Sequence, residues 1–474
     1  MHLYLSLAQE FIENIQSGKI CQGQKMLSIR KLHQQRGYSV TTIKKCYEYL
    51  ESLGYIHAKP QSGFFVRSQS KPVSNVHLPT FSTHPTEISQ IELINEINKA
   101  SCDTQRVPLG SIQLANDLIP EKQLQQSLIR AVKHAKNTAY MPSPLGGDPL
   151  LKAVLCDHFS DNGFHLEKED LFITNSCMDA LRISIDAVSN VGECIAVPVP
   201  CYSGHLQLLA CMNRRVLEIP SNIDGVDIDA LEKTIKSGSV VATLMTSNFQ
   251  NPLGYTLSNE TKKYLAQLAA SHQCPIIEDD VFGELAHNKG TPLPIKAWDK
   301  DGWVIWCSSF SKTLTEGFRV GWLTGGRHHV DIKKQLANGS FSMNTPLQLA
   351  IKDFIQSGSY RKHLNTLLLA LAQQLDSLEK AVVNAFPKTC ALVKPLGGYS
   401  LWVQLPNGMD ALAVYSKAQA LGINIVPGSI FSNNQQYCSY IRLNAGNPWS
   451  ETLAQSIDTL ALIIKQIQTQ QESL

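Results

Sequence analysis

Lys312 sits in a run of groups suited to covalent work on an aldehyde beside a bound anion. Ser308-Ser309-Phe310-Ser311-Lys312-Thr313-Leu314 follows the apolar stretch Trp303 to Cys307, and Arg319-Val320-Gly321-Trp322 comes next. A primary amine forms a Schiff base with an aldehyde. Hydroxyls close to it and a guanidinium seven residues on suit a phosphate. The expected chemistry is therefore a lysine that holds a phosphorylated aldehyde.

Other polar residues follow short apolar, β-branched runs in the same way. Asn175, Ser176 and Cys177 come after Leu171-Phe172-Ile173-Thr174, and Pro200-Cys201-Tyr202 comes soon after Cys194-Ile195-Ala196-Val197. Asn248 and Asn251-Pro252-Leu253-Gly254 come after Val240 to Thr246, and Asp279 and Asp280 after Pro275-Ile276-Ile277-Glu278. Pyridoxal 5′-phosphate (PLP) needs an amine, a carboxylate for its ring nitrogen, a donor for its phenolic oxygen, a flat neighbour and anion ligands. The chain supplies these in order. Taken singly, Asn-Pro-x-Gly is an ordinary turn and an aspartate after a strand an ordinary helix cap; their joint order is the signal.

Those apolar runs alternate with helical periodicity from about residue 105. Buried strands spaced by helices imply an α/β unit with a largely parallel sheet, whose ligands sit at the carboxyl ends of the strands. The start of the helix after Ser176 would offer free amides to a phosphate.

The first sixty-odd residues read differently. Leu7, Ala8, Phe11, Ile12 and Ile15 repeat at helical spacing before Gly18. Ser28 and Ser39 are expected to cap a second and third helix, with Gly37 and Gly54 at their ends. Tyr55 to Ala58 and Phe64 to Val66 flank Lys59-Pro60-Gln61-Ser62-Gly63 as a hairpin. Three helices and a hairpin make a winged helix-turn-helix. Residues 1–67 carry nine Lys/Arg against four Glu, whereas the 474-residue chain has a net charge of only +2. A basic small unit suggests a face for DNA. Residues 68–104 read as a linker, polar and proline-bearing at Ser68 to Asn75 and interrupted by a helical stretch near Ile88–Lys99. It would let the flanking units take many relative positions.

The twelve cysteines form no Cys-x-x-Cys pair and no Cys/His ligand spacing, so no metal is expected. No basic leader precedes the first helix, and no apolar run reaches the roughly 18 residues of a membrane span. The expectation is a cytoplasmic protein with no membrane contact.

The N-terminal segment resembles the GntR type of winged helix, through Ile15 to Ile20, Leu27 to Leu32, Ser39 to Ile43, Gly54-Tyr55-Ile56 and Ser62 to Val66. The resemblance implies DNA contact by Arg30, Thr41, Thr42, Lys44 and Lys45, with Gly63 at the wing tip. Val40 stands where the family usually has arginine. Residues 105–474 resemble fold-type I aminotransferases. That resemblance implies a mostly parallel seven-stranded sheet with helices on both faces and a small C-terminal α+β subdomain. It makes Lys312 the Schiff-base lysine and Asp279 the partner of the ring nitrogen. Asn251 would donate to the phenolic oxygen and Tyr202 would stack on the ring. Ser176, Cys177, Ser309, Ser311 and Arg319 would hold the phosphate. Tyr140 would reach the neighbouring subunit's phosphate, implying a homodimer, and Arg442 would pair with a ligand carboxylate. Three positions depart from the pattern: Phe282 replaces a tyrosine, Ser176 a glycine and Glu316 a proline.

The two resemblances together are the architecture of the MocR family of transcriptional regulators. They imply a protein that binds a double-stranded DNA operator and senses PLP or an amino compound through an aldimine at Lys312. The alternative is an active PLP-dependent aminotransferase working on an α-amino acid and a 2-oxo acid.

Overall fold

The structure, a computed structural model, describes all residues except 1–2, 17–18, 21–22, 53–54, 60–62, 67–83, 102, 104, 288–289, 340–343, 407 and 473–474. The chain forms two compact units, Met1–Ser74 and Asn75–Leu474.

The small unit has three helices, α1 (Leu3–Gln16), α2 (Ile29–Arg36) and α3 (Val40–Ser52), followed by the antiparallel strands β1 (Ile56–Lys59) and β2 (Gly63–Val66). Leu7, Ala8, Phe11, Ile12 and Ile15 of α1 share one core with Ile43, Cys46, Tyr47 and Leu50 of α3. The caps fall where the hydroxyls lie. Ser28 accepts from the Lys31 amide at 3.3 Å and Ser39 from the Thr42 amide at 3.0 Å. Gly37 ends α2 with φ of 71°, in the left-handed region that glycine enters freely. Gly18, Gly54 and the turn at 60–62 lie outside the described residues. One pairing was not expected. Lys25 bridges Phe65 antiparallel, and the Met26 amide donates to the Phe64 carbonyl at 2.8 Å. The wing thus has a short third edge, from a polar stretch too brief to carry a period of two.

The main sheet of the large unit contains β3 (Leu171–Thr174), β4 (Cys194–Val199), β5 (Arg215–Asn222), β6 (Gly225–Val226), β7 (Ala242–Met245), β8 (Ile276–Asp279), β9 (Val304–Ser309) and β10 (Gly321–Thr324). Its order is β3-β10-β9-β8-β7-β4-β5-β6. The pairs β5–β4, β4–β7, β7–β8 and β8–β9 are parallel. β10 is antiparallel to both of its neighbours, and β6 to β5. The expected seven strands are all present. An eighth, the two-residue β6, extends the sheet after a tight turn and is too short to read as periodic. Apart from β5 these strands are buried at every position, which explains their apolar character. The carboxyl ends of β3 and the parallel strands share one edge, where Gly321, at the amino end of β10, lies opposite both Thr174 and Ser309.

A second, antiparallel sheet is formed by β11 (Ala391–Val393), β12 (Ser400–Gln404), β13 (Val426–Pro427) and β14 (Tyr440–Asn444), in the order β11-β12-β14-β13. With the helices Ser359–Ala385, Ala411–Ala420 and Glu451–Glu472 it forms the C-terminal α+β part. The stretch expected as linker is partly folded. Thr86 pairs with Val216, and the helix α4 (Ile91–Ser101) buries Ile94 and Ile97 in the large core. Their partners are remote in sequence, so local pattern could not attach them.

The caps allow a direct check. Ser39→Ala removes the acceptor for the Thr42 amide and should destabilise α3 by about 1 kcal/mol. Hydrogen exchange should then quicken about fivefold at the first-turn amides of α3 and stay unchanged in the large unit.

Candidate functional site

A cavity of about 190 Å³ opens at the shared strand edge, and nine of the ten residues expected around a cofactor line it. Asp279 ends β8 at its floor. His205 Nε2 lies 2.8 Å from Oδ2, the Cys177 thiol donates to Oδ1 at 3.3 Å, and the Val281 amide donates to Oδ1 at 3.2 Å. Burial by itself would raise this carboxyl. The bond and charge of His205, with the other two donors, outweigh burial and leave it below its ordinary value. Asp279 is thus kept ionised in a dry site, as a partner for a protonated ring nitrogen must be.

The neighbouring carboxylates do structural work. Asp280 turns away from the cavity to Asn248 Nδ2 at 2.8 Å and Trp306 Nε1 at 2.9 Å. Burial, then the Glu278 charge, push its carboxyl well up. Glu278 accepts from the Ile295 amide at 2.7 Å and from the Ser247 hydroxyl. The buried Lys262 donates to Asn248 Oδ1 at 2.5 Å. These bonds tie β7 and β8 together and fix where Asp279 emerges.

The residues expected to hold a phosphate line the same cavity. Ser176 caps α5 (Cys177–Val188) through the Asp179 amide at 3.1 Å. Ser309 Oγ donates to Ser311 Oγ at 3.1 Å, and Arg319 lines the same cavity with φ of 51°. Gly321 is required here, since a Cβ would lie 2.4 Å from the Ser176 backbone. The Cys177 side chain departs from its expected part. Its thiol turns to Asp279, and burial, with that carboxylate's charge, raises it well above the ordinary thiol range.

Tyr202 lines the cavity beside His205, with ring centroids 5.5 Å apart. A Cβ at Gly204 would meet its ring at 2.4 Å. Arg442 is buried, donating from Nη1 to Asn251 Oδ1 at 3.2 Å and from Nη2 to the Gly110 carbonyl at 2.8 Å. Burial pushes its pKa down to about 10, so it remains a cation at neutral pH. Asn251 Nδ2 and Arg442 Nε are buried without a protein partner. Of the two, Asn251 lines the cavity and Arg442 does not; an orphaned donor in a cavity implies an acceptor from outside the chain. The residues therefore fit PLP: a free amide for the phenolic oxygen, an ionised carboxylate for the ring nitrogen, and hydroxyls and amides for the phosphate.

Lys312 follows β9 on a single helical turn, in which the Leu314 and Thr315 amides donate to the Phe310 carbonyl at 2.9 and 3.1 Å. Its Nζ donates to the Ile112 carbonyl at 3.1 Å and to the Glu316 carboxylate. Tyr399 donates to that same carbonyl at 2.8 Å and packs edge-on against Phe282. Residues 110–113 thus form a strap over the site, held by Arg442, Lys312 and Tyr399. Sequence reasoning did not find His205, Tyr399 or the strap. Glu316 was noticed only as a missing proline, although its spacing of four from Lys312 was a usable signal.

Tyr140 lies outside the cavity and is 75% exposed. In the small unit Arg30, Thr41, Lys44 and Lys45 are exposed on α2 and α3, and Lys44 is 3.8 Å from Glu48. Thr42 is half-buried, its hydroxyl 2.8 Å from that of Ser39, so it serves the cap. Gly63 is exposed at the start of β2 with φ of 95°.

Comparison with known proteins agrees with this division. Residues 3–66 match the bacterial regulatory proteins of the gntR family, and residues 107–460 match aminotransferase class I and II. The chain is 32% identical to the HTH-type transcriptional regulator YdcR of Escherichia coli (strain K12), over 98% of this chain and 100% of that one. It is equally similar to YjiR of the same strain, over 96% and 97%. The chain belongs to the MocR family. As a MocR protein it is a transcriptional regulator that pairs a DNA-binding gntR domain with an aminotransferase-like domain. The latter is 30% identical to aromatic-amino-acid aminotransferase 1 of Thermococcus litoralis, over 70% of this chain and 82% of that one. A solved multiple substrate aminotransferase from Thermococcus profundus shares its fold, with a TM-score of 0.74 and 24% identity over 80% of this chain and 95% of that one. Among the described residues no helix is long and apolar enough to cross a membrane.

The His205 bond sets a pH test. With its pKa lowered, Asp279 contributes stability above the ordinary carboxylate value, lost as pH falls through the folded value. In His205→Ala burial dominates and the folded value rises. Asp279 should then destabilise the protein at neutral pH, and the penalty should shrink on acidification. Thermal unfolding against pH should show this reversal of slope, with His205→Ala the less stable protein at pH 7.

Proposed function

We propose that this MocR chain is a PLP-dependent DNA-binding switch in which Lys312 responds to an amino ligand. The observation that carries the proposal is the joint presence of exposed basic residues on a gntR helix pair and an ionised Asp279 in one cavity with Lys312. PLP, when bound, supplies an aldehyde for primary amines and a ring that withdraws electrons from them. Asp279 would hold the proton on the ring nitrogen, and Asn251 Nδ2 would donate to the phenolic oxygen. Ser309, Ser311, Arg319 and the first amides of α5 would take the phosphate, and Tyr202 would cover the ring face. Arg442 would accept a ligand carboxylate, since its buried Nε has no protein partner. Tyr140, exposed in this chain, would reach the phosphate site of a second copy, making the working form a homodimer in the cytoplasm.

On the DNA side Arg30, Thr41, Lys44 and Lys45 would face the duplex, with Thr42 shaping the helix start and Gly63 at the wing. Val40, 49% exposed, offers an apolar contact where an arginine would offer a charge. A ligand changes DNA affinity only through its different affinity for two states, and a tenfold change requires about 1.4 kcal/mol of difference.

A second reading, turnover as an aminotransferase, is favoured by Arg442 and by the 30% identity to an aromatic-amino-acid aminotransferase. Phe282 argues against speed, since it brings no hydroxyl near Lys312. Conversion of bound PLP to its pyridoxamine form, followed by absorbance over a panel of amino acids, decides between the two.

Two results are expected. Purified protein should be yellow, and Lys312→Ala should lose the absorbance of lysine-bound cofactor and its DNA response to any amino ligand. Lys45→Ala should weaken binding to every duplex and reduce the slope of log affinity against log salt by about 1. An absence of sequence-selective DNA binding, with and without PLP, would sink the regulatory reading.

A further inference from the structure

We infer that Glu316 is a positioning residue that receives Lys312 whenever another amine displaces it, and so stabilises the ligand-bound state of the cavity. The inference rests on the PLP reading above and adds a second half to the switch, namely where the lysine goes.

Lys312 and Glu316 are four residues apart on the turn after β9, so their bond forms without any movement of the chain. Both side chains line the cavity. The ammonium of Lys312 is held at two points, by the Glu316 carboxylate and by the Ile112 carbonyl at 3.1 Å. Glu316 also accepts from Gln113 Nε2 at 3.4 Å, so it belongs to the strap contact as well. The other carboxylate lining the cavity is already engaged, since Asp279 takes His205, Cys177 and the Val281 amide. Phe282 provides no hydroxyl, and the Tyr399 hydroxyl is committed to Ile112.

Charge balance then gives the direction. While Lys312 is joined to the cofactor, its nitrogen cannot also serve as the ammonium that Glu316 holds here. When a ligand ammonium replaces it, one carbon–nitrogen double bond forms as the other breaks, and two protons pass from the ligand nitrogen to that of Lys312. Lys312 leaves as an ammonium, and Glu316 and Ile112 recover their partner. A charge-assisted bond that exists only after the exchange shifts the equilibrium towards it. The same bond ties the released lysine to the strap, which continues from α4.

The test uses full-length, cofactor-loaded protein and 2-methylalanine, which has no α-hydrogen, so the absorbance change reports binding alone. Glu316→Gln keeps the size and removes the charge. It should raise the half-saturating concentration about tenfold or more, the order of a lost charge-assisted bond. Glu316→Asp should recover part of this. Amide exchange at Ile112 and Gln113 should slow on ligand addition in the wild type and not in Glu316→Gln. Equal half-saturation in wild type and Glu316→Gln, with the cofactor band intact, would overturn the role of Glu316 alone, as would a band that 2-methylalanine leaves unmoved. Absence of the band from the wild type would overturn the cofactor reading and this inference with it.

Discussion

A buried carboxylate at the end of β8, Asp279, is held below its ordinary value by the groups around it. His205 supplies the principal bond, at 2.8 Å from Asp279. It can do so because Gly204 leaves room for the Tyr202 ring at the start of its helix. β8 is in turn clamped to β7 by the buried set of Glu278, Asp280, Asn248 and Lys262. A half-satisfied polar cluster would be worse than an apolar one, and here the members bond one another. The cofactor face and the structural network are thus two sides of one strand.

The cavity is closed by a different logic. Its outer wall is the strap at residues 110–113, held through backbone carbonyls by Arg442, Lys312 and Tyr399. Two of those three groups are ones a ligand would engage. In the chain the strap follows α4. Glu316 determines whether the lysine, once released, returns to the strap.

The sequence-based reading succeeded where local chemistry dictates placement. Ser28, Ser39 and Gly37 cap helices because a hydroxyl or a left-handed residue at a boundary has few other uses. Six strands of the main sheet were visible because burial on both faces demands continuous apolar runs, whereas β5, with exposed ends, was not picked out. It fell short where the partner is far away in the chain. The edge at Lys25, the two-residue β6 and the attachment of α4 all depend on surfaces remote in sequence. Cys177 was assigned to the phosphate by its position, yet its thiol points to Asp279, a rotamer outcome that spacing does not specify.

Lys312, Asp279, Asn251, Tyr202, Ser309, Ser311 and Arg319 were identifiable from sequence because parallel strands must deliver the residues at their carboxyl ends to one edge. The same holds for the helix-turn-helix, whose apolar period and hydroxyl caps are local. Tertiary structure alone decided that His205 bonds Asp279, that Asn251 Nδ2 and Arg442 Nε are buried without a protein partner, and that Lys312 rests on Glu316 and Ile112. Each of these is a contact between side chains or carbonyls in three dimensions, and the strength of such a contact depends on burial and distance, which order along the chain does not encode.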